Sequence, residues 1–297
     1  MTRTTARLRR PARRSSERFV FDPAQRKPAV LAVIGSARKR LFLSLFRCDD
    51  FAILDALAAA LQRGVKVEVL VTPRAKGWTK RLRELWAVLE GMGAKLHRYA
   101  DPVVKYHAKY IVADNRLALV ASLNFTRNCF ANTYDFLVTT DDPAVVTGLR
   151  RLFEADSRRP APARPVGLGR RLIVGPERAR REFTRLLERA RRSIAIVDPK
   201  LTDPGILDLL KVKRREGVAV TVLGREHAAG LVPHGKMVLV DEAVGVIGSM
   251  SLSALSLDFR REVAVIVRDR AGVAEMVRVF KRLADRAPAA GRARPVR

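Results

Sequence analysis

Cysteine and aromatic side chains are scarce in this chain of 297 residues: there are two Cys, and Phe, Trp and Tyr together make up 6%. Two cysteines, Cys48 and Cys129, exclude a disulfide framework, and neither stands at a metal-ligand spacing; both read as small core residues. Long apolar runs are missing too. None approaches the ~18 residues that cross a bilayer. The basic N-terminus, MTRTTARLRRPARRSSERF, has no apolar segment behind it, and Ala29 to Ile34 is too short for a signal sequence and reads as the first core helix. The expected compartment is the cytoplasm, with surface contact with membrane. Acidic residues are outnumbered, 30 against 58 Lys and Arg, for a net charge of +28. Such a field favours anionic partners: phosphate esters, nucleic acid or an anionic membrane surface. Arg is scattered from end to end, so a general surface bias accounts for part of the excess. What is present is ordinary globular material, 48% hydrophobic and 30% charged, with ample core for one large domain or two smaller ones.

The chain is written twice. ARKRLFLSLF (Ala37 to Phe46) aligns with ARRSIAIVDP (Ala190 to Pro199), and RGVKVEVLV with EGVAVTVLG, both at an offset of 153. The intervening helices ILDALAAALQRG and ILDLLKVKRREG end at Gly64 and Gly217, as a C-terminal glycine predicts. Farther on, HAKYIVADNRLALVAS aligns with HGKMVLVDEAVGVIGS at an offset of 127. Each reads as a strand, a tight turn around the Asp and a second strand. TYDFLVTTDDPAVVTGLRRLF and RREVAVIVRDRAGVAEMVRVF follow, each a strand and an amphipathic helix. The offset falls by 26, matching WTKRLRELWAVLEGMGAKLHRY, a helix and strand present only in the first half; one wall of any shared site is therefore expected to be lower in the second half. Residues 1–27 read as a disordered basic arm, 28–155 and 172–285 as two α/β halves, 156–171 as a Pro/Gly/Arg linker and 286–297 as a disordered tail.

Chemistry concentrates in the repeated segment. His107 and Lys109 stand at i and i+2 and so share a strand face, as do His234 and Lys236. Asp114 and Asp241 follow their histidines by seven positions, past the strand end, and are expected to hold the turn or bind a backbone or basic group. Ser122 and Ser249 both lie 15 positions after their histidines, and Asp135 and Glu262 both lie 28 after. Two of four histidines meeting the Lys and Asp spacings by chance is on the order of a few in 10^5. His97 and His227 match no partner and read as surface or loop residues; Trp78 and Trp86, at helical spacing, read as core.

HAKYIVAD…ASLN and HGKMVLVD…GSMS resemble the paired HxKxxxxD…GSxN signatures of the phospholipase D superfamily, and most of all its bacterial phospholipase D and cardiolipin synthase-like branch. The resemblance covers nearly all of residues 28–285. It implies two pseudo-twofold-related α/β/α halves with the active site at their interface, no cofactor and no metal, and both motifs in one chain, hence a monomer. It further implies His107 as nucleophile and His234 as acid/base. Two departures stand out: Ala121 replaces a Gly in the first motif, and Ser251 replaces an Asn in the second.

The residues suit that chemistry. A phosphodiester resists nucleophiles until its charge is countered, and Lys109 and Lys236 converging on one phosphate, with Ser122, Asn124, Ser249 and Ser251 beside it, would counter it. Asp135 and Glu262 are expected to orient the imidazoles. The substrate stays open: a phospholipid, by hydrolysis or by head-group exchange, comes first; a nuclease of the same superfamily second, since +28 suits a polyanion; a catalytically silent lipid- or nucleic-acid-binding module third.

Overall fold

The computed structural model describes residues 16–161, 165–225 and 230–286. The first half runs β1 (Glu17–Val20), α1 (Pro23–Ser36), β2 (Arg40–Leu45), α2 (Phe51–Gln62), β3 (Lys66–Val71), α3 (Thr79–Gly91), β4 (Lys95–Arg98), β5 (Lys105–Tyr106), β6 (Tyr110–Ala113), β7 (Leu117–Ala121), α4 (Arg127–Ala131), β8 (Thr133–Tyr134), β9 (Leu137–Thr140) and α5 (Pro143–Asp156). The second runs β10 (Leu172–Val174), α6 (Ala179–Glu188), β11 (Ser193–Val197), α7 (Pro204–Arg215), β12 (Ala219–Leu223), β13 (Val232–Pro233), β14 (Met237–Val240), β15 (Val244–Gly248), α8 (Ala254–Phe259), β16 (Arg260–Arg261), β17 (Val263–Val267) and α9 (Arg270–Arg286). Helix starts are written locally. Asp22, Asp142 and Asp203 each precede a proline and accept a backbone N–H of the first turn at 2.8–3.0 Å. The aspartate satisfies an orphan donor, and the proline at the first helical position lacks the N–H that would otherwise be idle.

Each half forms one mixed sheet, in the order β1-β9-β7-β6-β2-β3-β4 and β10-β17-β15-β14-β11-β12. The second is the first without β4. Alternation along the strands sorts side chains onto two faces. Leu41, Leu43, Ile111 and Leu119 pack under α1 and α2; Val238, Val240, Val246 and Ile266 pack under α6 and α7. The opposite faces, with Val112, Val120, Leu239, Ile247 and Val265, join α5 and α9 in one central core shared by both halves. This period-2 division is what a sheet buried on both sides requires. Arg261 ties the halves together: its guanidinium donates to Gly175 O and Glu177, and its Nε lies 3.1 Å from Asp156 of α5.

Three expectations need correction. The arm read through residue 27 is structured at its end. β1 pairs antiparallel with β9, and α1 begins at Pro23. Its last residues fold because Phe19, Val20 and the Arg26 side chain all find buried partners; the rest of the arm, and the tail beyond Arg286, lie outside the described residues. The linker is no free spacer either, since Ala161 and Leu168 are buried in the central core. His97 is not a loop histidine: it lies in β4 with Nε2 3.0 Å from Glu68. His227 lies outside the described residues. Among those residues α3 and β4 have no counterpart in the second half, and β12 is left as an edge strand.

Candidate active site

Short strands outside the main sheets build the site. β5 pairs in parallel with β16, and β8 with β13. By the internal repeat, β5 and β13 are mates, and so are β8 and β16; each strand preceding a histidine therefore pairs with the strand preceding the other half's carboxylate. The pairing continues past the strand ends, with His107 N donating to Arg261 O at 2.9 Å and Gly235 N to Tyr134 O at 2.8 Å. The carboxylates are thereby exchanged. His107 Nδ1 hydrogen-bonds Glu262 of the second half, and His234 Nδ1 lies 3.0 and 2.9 Å from the two oxygens of Asp135 in the first.

The lysines stand beside their histidines. Lys109 Nζ lies 2.9 and 3.0 Å from the ring nitrogens of His107 and donates to its carbonyl at 2.8 Å. Lys236 Nζ donates to the His234 carbonyl. Both ammonium groups are almost fully buried, whereas the His107 and His234 side chains keep 17% and 28% of their surface exposed. The reactive rings thus face solvent from a wall of buried cations. Phe46 packs against the His107 ring with centroids 4.3 Å apart.

The two imidazoles differ electrically. Burial, followed by the charges of Lys109, Arg260, Lys236 and His234, pushes the pKa of His107 well below its ordinary value. Its partner Glu262 is pushed up by burial. At His234 the strongest influence is the Asp135 charge, which pulls upward; Lys236 and burial outweigh it, and the result is a smaller downward shift. Asp135 itself is raised by burial, but the charge and hydrogen bond of His234, then Lys236 and Ser122, bring it down to about 2. His107 is thus the more firmly neutral ring, and His234 the one with an ionised carboxylate behind it.

Asp114 and Asp241 sit away from the rings, in the β6–β7 and β14–β15 hairpins. Both have positive φ, as do Asn115 and Glu242, which defines type I′ turns. Asp114 accepts the N–H groups of Arg38, Lys39 and Arg40 at 2.7–2.8 Å. Asp241 accepts those of Arg191, Arg192 and Ser193. These carboxylates fasten each hairpin to the start of β2 or β11.

Of the four polar residues expected around the phosphate, three have their hydroxyl protons engaged elsewhere. Ser122 Oγ donates to Asp135 at 2.5 Å, and Ser249 Oγ reaches Val263 O at 3.4 Å. Ser251 turns its hydroxyl to Asp198 at 2.7 and 2.9 Å and is 2% exposed. It stands where the first motif has Asn124, and its short side chain bonds the Asp198 carboxylate. Asn124 Oδ1 is buried without a partner. The phosphate-facing expectation therefore fails for Ser251, and Ser122 and Ser249 brace backbone and carboxylate instead.

Sequence reasoning missed several neighbours. Thr133 Oγ1 donates to Asp135 at 2.6 Å, a contact legible from i, i+2 spacing on one strand. Ser256 donates to Glu262. Arg26, completely buried, donates to Cys129 O and Thr133 O at 3.2 and 2.5 Å, holding the segment that carries Asp135. Nothing in the basic N-terminal composition distinguished it from its neighbours. Cys129 Sγ, an Asp135 oxygen and a His234 nitrogen lie within 4.8 Å of one another. That set is committed to hydrogen bonds with Ser122 and Thr133 and lies beside the ammonium groups of Lys109 and Lys236, an environment unfavourable to a dication.

Two α/β halves, each contributing a His-x-Lys segment and a carboxylate to the other's histidine, define a duplicated phosphodiester-handling fold. Comparisons agree. Residues 30–157 match the family described as cardiolipin synthase, PLD-like domain. Cardiolipin synthase B of Escherichia coli K12 is 27% identical over 309 aligned positions, covering 82% of this chain and 74% of that protein. Cardiolipin synthase A of Pectobacterium carotovorum is 28% identical over a stretch covering 38% of this chain and 24% of its own. The fold is shared with phosphatidylserine synthase of Haemophilus influenzae, at a TM-score of 0.71 and 12% identity over 90% of this chain and 86% of that one. It is shared also with polyphosphate kinase of Porphyromonas gingivalis, at 0.71 and 21%, where the match spans 90% of this chain but 46% of the kinase. These are likenesses to proteins of the phospholipase D superfamily, carried by the family match in the first half and by the cardiolipin synthase B relative across both.

Proposed function

We propose that the protein is a phosphatidyltransferase: it moves the phosphatidyl group of a phospholipid from one alcohol to another through a phosphohistidine at His107. The choice of a phospholipid substrate follows the cardiolipin synthase relatives; the chemistry follows from the exchanged carboxylates, the single observation on which this reading stands. A neutral His107, oriented by Glu262, attacks phosphorus through the nitrogen not bound to the carboxylate. His234, with Asp135 behind it, gives its proton to the departing alcohol oxygen. Lys109, Lys236 and the Asn124 amide oppose the charge that builds on the phosphoryl oxygens. A second alcohol, or water, then gives its proton to His234 and attacks phosphorus. The P–N bond breaks, and His107 leaves as neutral imidazole.

The docking partner in this reading is an anionic membrane surface, which the protein meets peripherally. Among the described residues no helix is long and apolar enough to cross a bilayer.

The experiment uses the full chain with labelled phosphatidylglycerol in mixed micelles, and plasmid DNA in parallel, both in EDTA. New phosphodiester lipid or phosphatidate is expected from the wild type. His107→Ala should abolish it, and His234→Ala should lower it by roughly 10²–10⁴-fold, the usual worth of a general acid. Wild type quenched in denaturant at neutral pH, since the P–N bond of a phosphohistidine hydrolyses in acid, should carry the phosphatidyl mass on the peptide containing His107. Turnover of DNA alone would replace the lipid reading with a nuclease. Lipid turnover that survives both substitutions would remove the phosphohistidine.

A further inference from the structure

The pseudo-twofold axis gives each residue near the site a mate, and two mates are mismatched in charge environment. Arg47 corresponds to Lys200 at the offset of 153, and Thr133 to Arg260 at the offset of 127. Arg47 is occupied. Its guanidinium donates to Lys76 O at 2.8 Å and lies over the rings of Phe46 and Trp78, each 5.2 Å away. Trp78 opens α3, the helix the second half does not have, so Lys200 has no such cover and is exposed. Among the described residues no carboxylate comes within ion-pair distance of its ammonium. Thr133 donates its hydroxyl to Asp135, whereas Arg260 carries a guanidinium at the equivalent sequence position. The nearest carboxylate to Arg260, Glu262, is 3.9 Å away and already bonded to His107 and Ser256.

Lys200 and Arg260 both border the site, Arg260 through Glu262, which is bonded to His107. Lys200 follows β11, whose Val197 is in register with Met237, so the loop that carries it runs beside Lys236. Partial burial, and then the charges of Lys236 and Arg260, hold the Lys200 ammonium below its ordinary pKa. The carboxylates it feels, Glu262 and Asp198, are committed to His107 and to Ser251. Next to the two motif lysines there is thus a second group of cations, lopsided toward the second half, whose one carboxylate within ion-pair distance among the described residues, Glu262 at 3.9 Å from Arg260, is already bonded to His107 and Ser256. Such an excess of positive charge beside the site favours an anionic ligand.

Building on the phosphatidyltransfer reading, we propose that Lys200 and Arg260 form a second anion subsite that takes a phosphate carried by the acceptor alcohol. The acceptor's hydroxyl attacks the phosphohistidine, its proton passes to His234, the P–O bond forms and the P–N bond to His107 breaks. The acceptor's own phosphate is meanwhile held by the Lys200–Arg260 pair. Such a subsite selects glycerol-phosphate-type acceptors over water and over neutral alcohols. It makes the open wall of the second half the acceptor's entrance.

The test gives the full-length protein phosphatidylglycerol in detergent micelles as donor and compares two labelled soluble acceptors, glycerol 3-phosphate and glycerol. The wild type is expected to prefer glycerol 3-phosphate by at least tenfold in kcat/KM. Lys200→Gln should cut that preference about tenfold, mostly through the acceptor's KM, while Lys200→Arg preserves it. Raising inorganic phosphate should suppress transfer to glycerol 3-phosphate more in the wild type than in Lys200→Gln. Transfer that proceeds with equal efficiency to both acceptors, or a preference untouched by Lys200→Gln, overturns the subsite and leaves the transferase standing. Absence of both transfer product and phosphatidate from the wild type overturns the transferase, and the subsite with it.

Discussion

Single residues decide here which of two like groups does which job. His107 and His234 occupy equivalent positions in the repeat, yet one is backed by a glutamate pushed toward neutrality and the other by an aspartate that stays ionised. In a pH profile of kcat/KM, the acid limb reports the group that must be neutral and the alkaline limb the group that must be protonated. In the proposed reaction His107 supplies the first and His234 the second. Because Asp135 holds the His234 pKa up against Lys236 and burial, Asp135→Asn should move the alkaline limb to lower pH and lower the maximal rate. A limb that stays put, or moves upward, would show that Asp135 does not act through His234. The same carboxylate links stability to pH. Its folded pKa of about 2 lies below the ordinary 3.8, so its contribution, roughly 2 kcal/mol, is fully present above pH 4 and is lost as pH falls toward 2. Thermal melts between pH 5 and 2 would read that loss, diminished in the Asn variant. The His, Lys, Asp and Glu positions of the site were legible from spacing alone. The direction of the pairing was not: an interval of 28 residues says nothing about which half a carboxylate faces.

At the scale of elements the controlling feature is the exchange of β5 and β8 with β16 and β13. It leaves so little room that one glycine is obligatory. A Cβ on Gly235 would meet Tyr134 O at 2.8 Å and the Phe136 ring at 2.7 Å. The mate of this residue, Ala108, carries its methyl in the central core without difficulty. Gly235→Ala must therefore push β13 off β8 or displace Phe136. An overpacking cost of about 1–3 kcal/mol is expected, together with at least a tenfold loss of activity as the His234–Asp135 contact lengthens. Ala108→Gly, which only removes a methyl, should cost less activity. Equal activity of Gly235→Ala and the wild type would show that the two-residue ladder does not position His234. The main strands and helices were legible because alternation, Asp-Pro starts and glycine stops are local signals. β1, β5, β8, β13 and β16 were not. They are two to four residues long and exist only because a distant strand accepts their hydrogen bonds, a tertiary fact that no local window contains. Arg26 was lost for a related reason: its partners, Cys129 O and Thr133 O, lie about a hundred residues away, and a basic stretch reads as solvated until such partners are known.

For the molecule as a whole the proposed reaction raises the question of how a chain with few aromatics would reach a lipid head group. Its exposed large apolar side chains are unevenly placed. Phe51, Val103, Leu255 and Phe259, 45–69% exposed, lie in segments beyond the ends of the strands that lead to the site, and Val232 lies in β13 beside it, while Val88, Val166 and Val212 lie elsewhere. Exposed Arg74, Lys76, Lys200 and Arg225 share that end. Apolar tips among cations are what an anionic interface binds: about 1 kcal/mol per well-placed Lys or Arg, and up to 1.5–3 kcal/mol for each large side chain taken fully out of water. Docking through this rim would turn the two histidines toward the head groups. Flotation with vesicles of phosphatidylglycerol and phosphatidylcholine should show binding that weakens from 0.05 to 0.5 M salt, since exposed charge pairs are screened within about 10 Å at 0.1 M. Phe51→Ser with Val103→Ser should weaken binding about tenfold and slow turnover in vesicles, while turnover of a short-chain monomeric phospholipid changes much less. A rim that is not the docking face would give the opposite pattern, with vesicle binding unchanged and the basic ends of α6 and α7, at the other end of the second sheet, carrying the salt dependence instead.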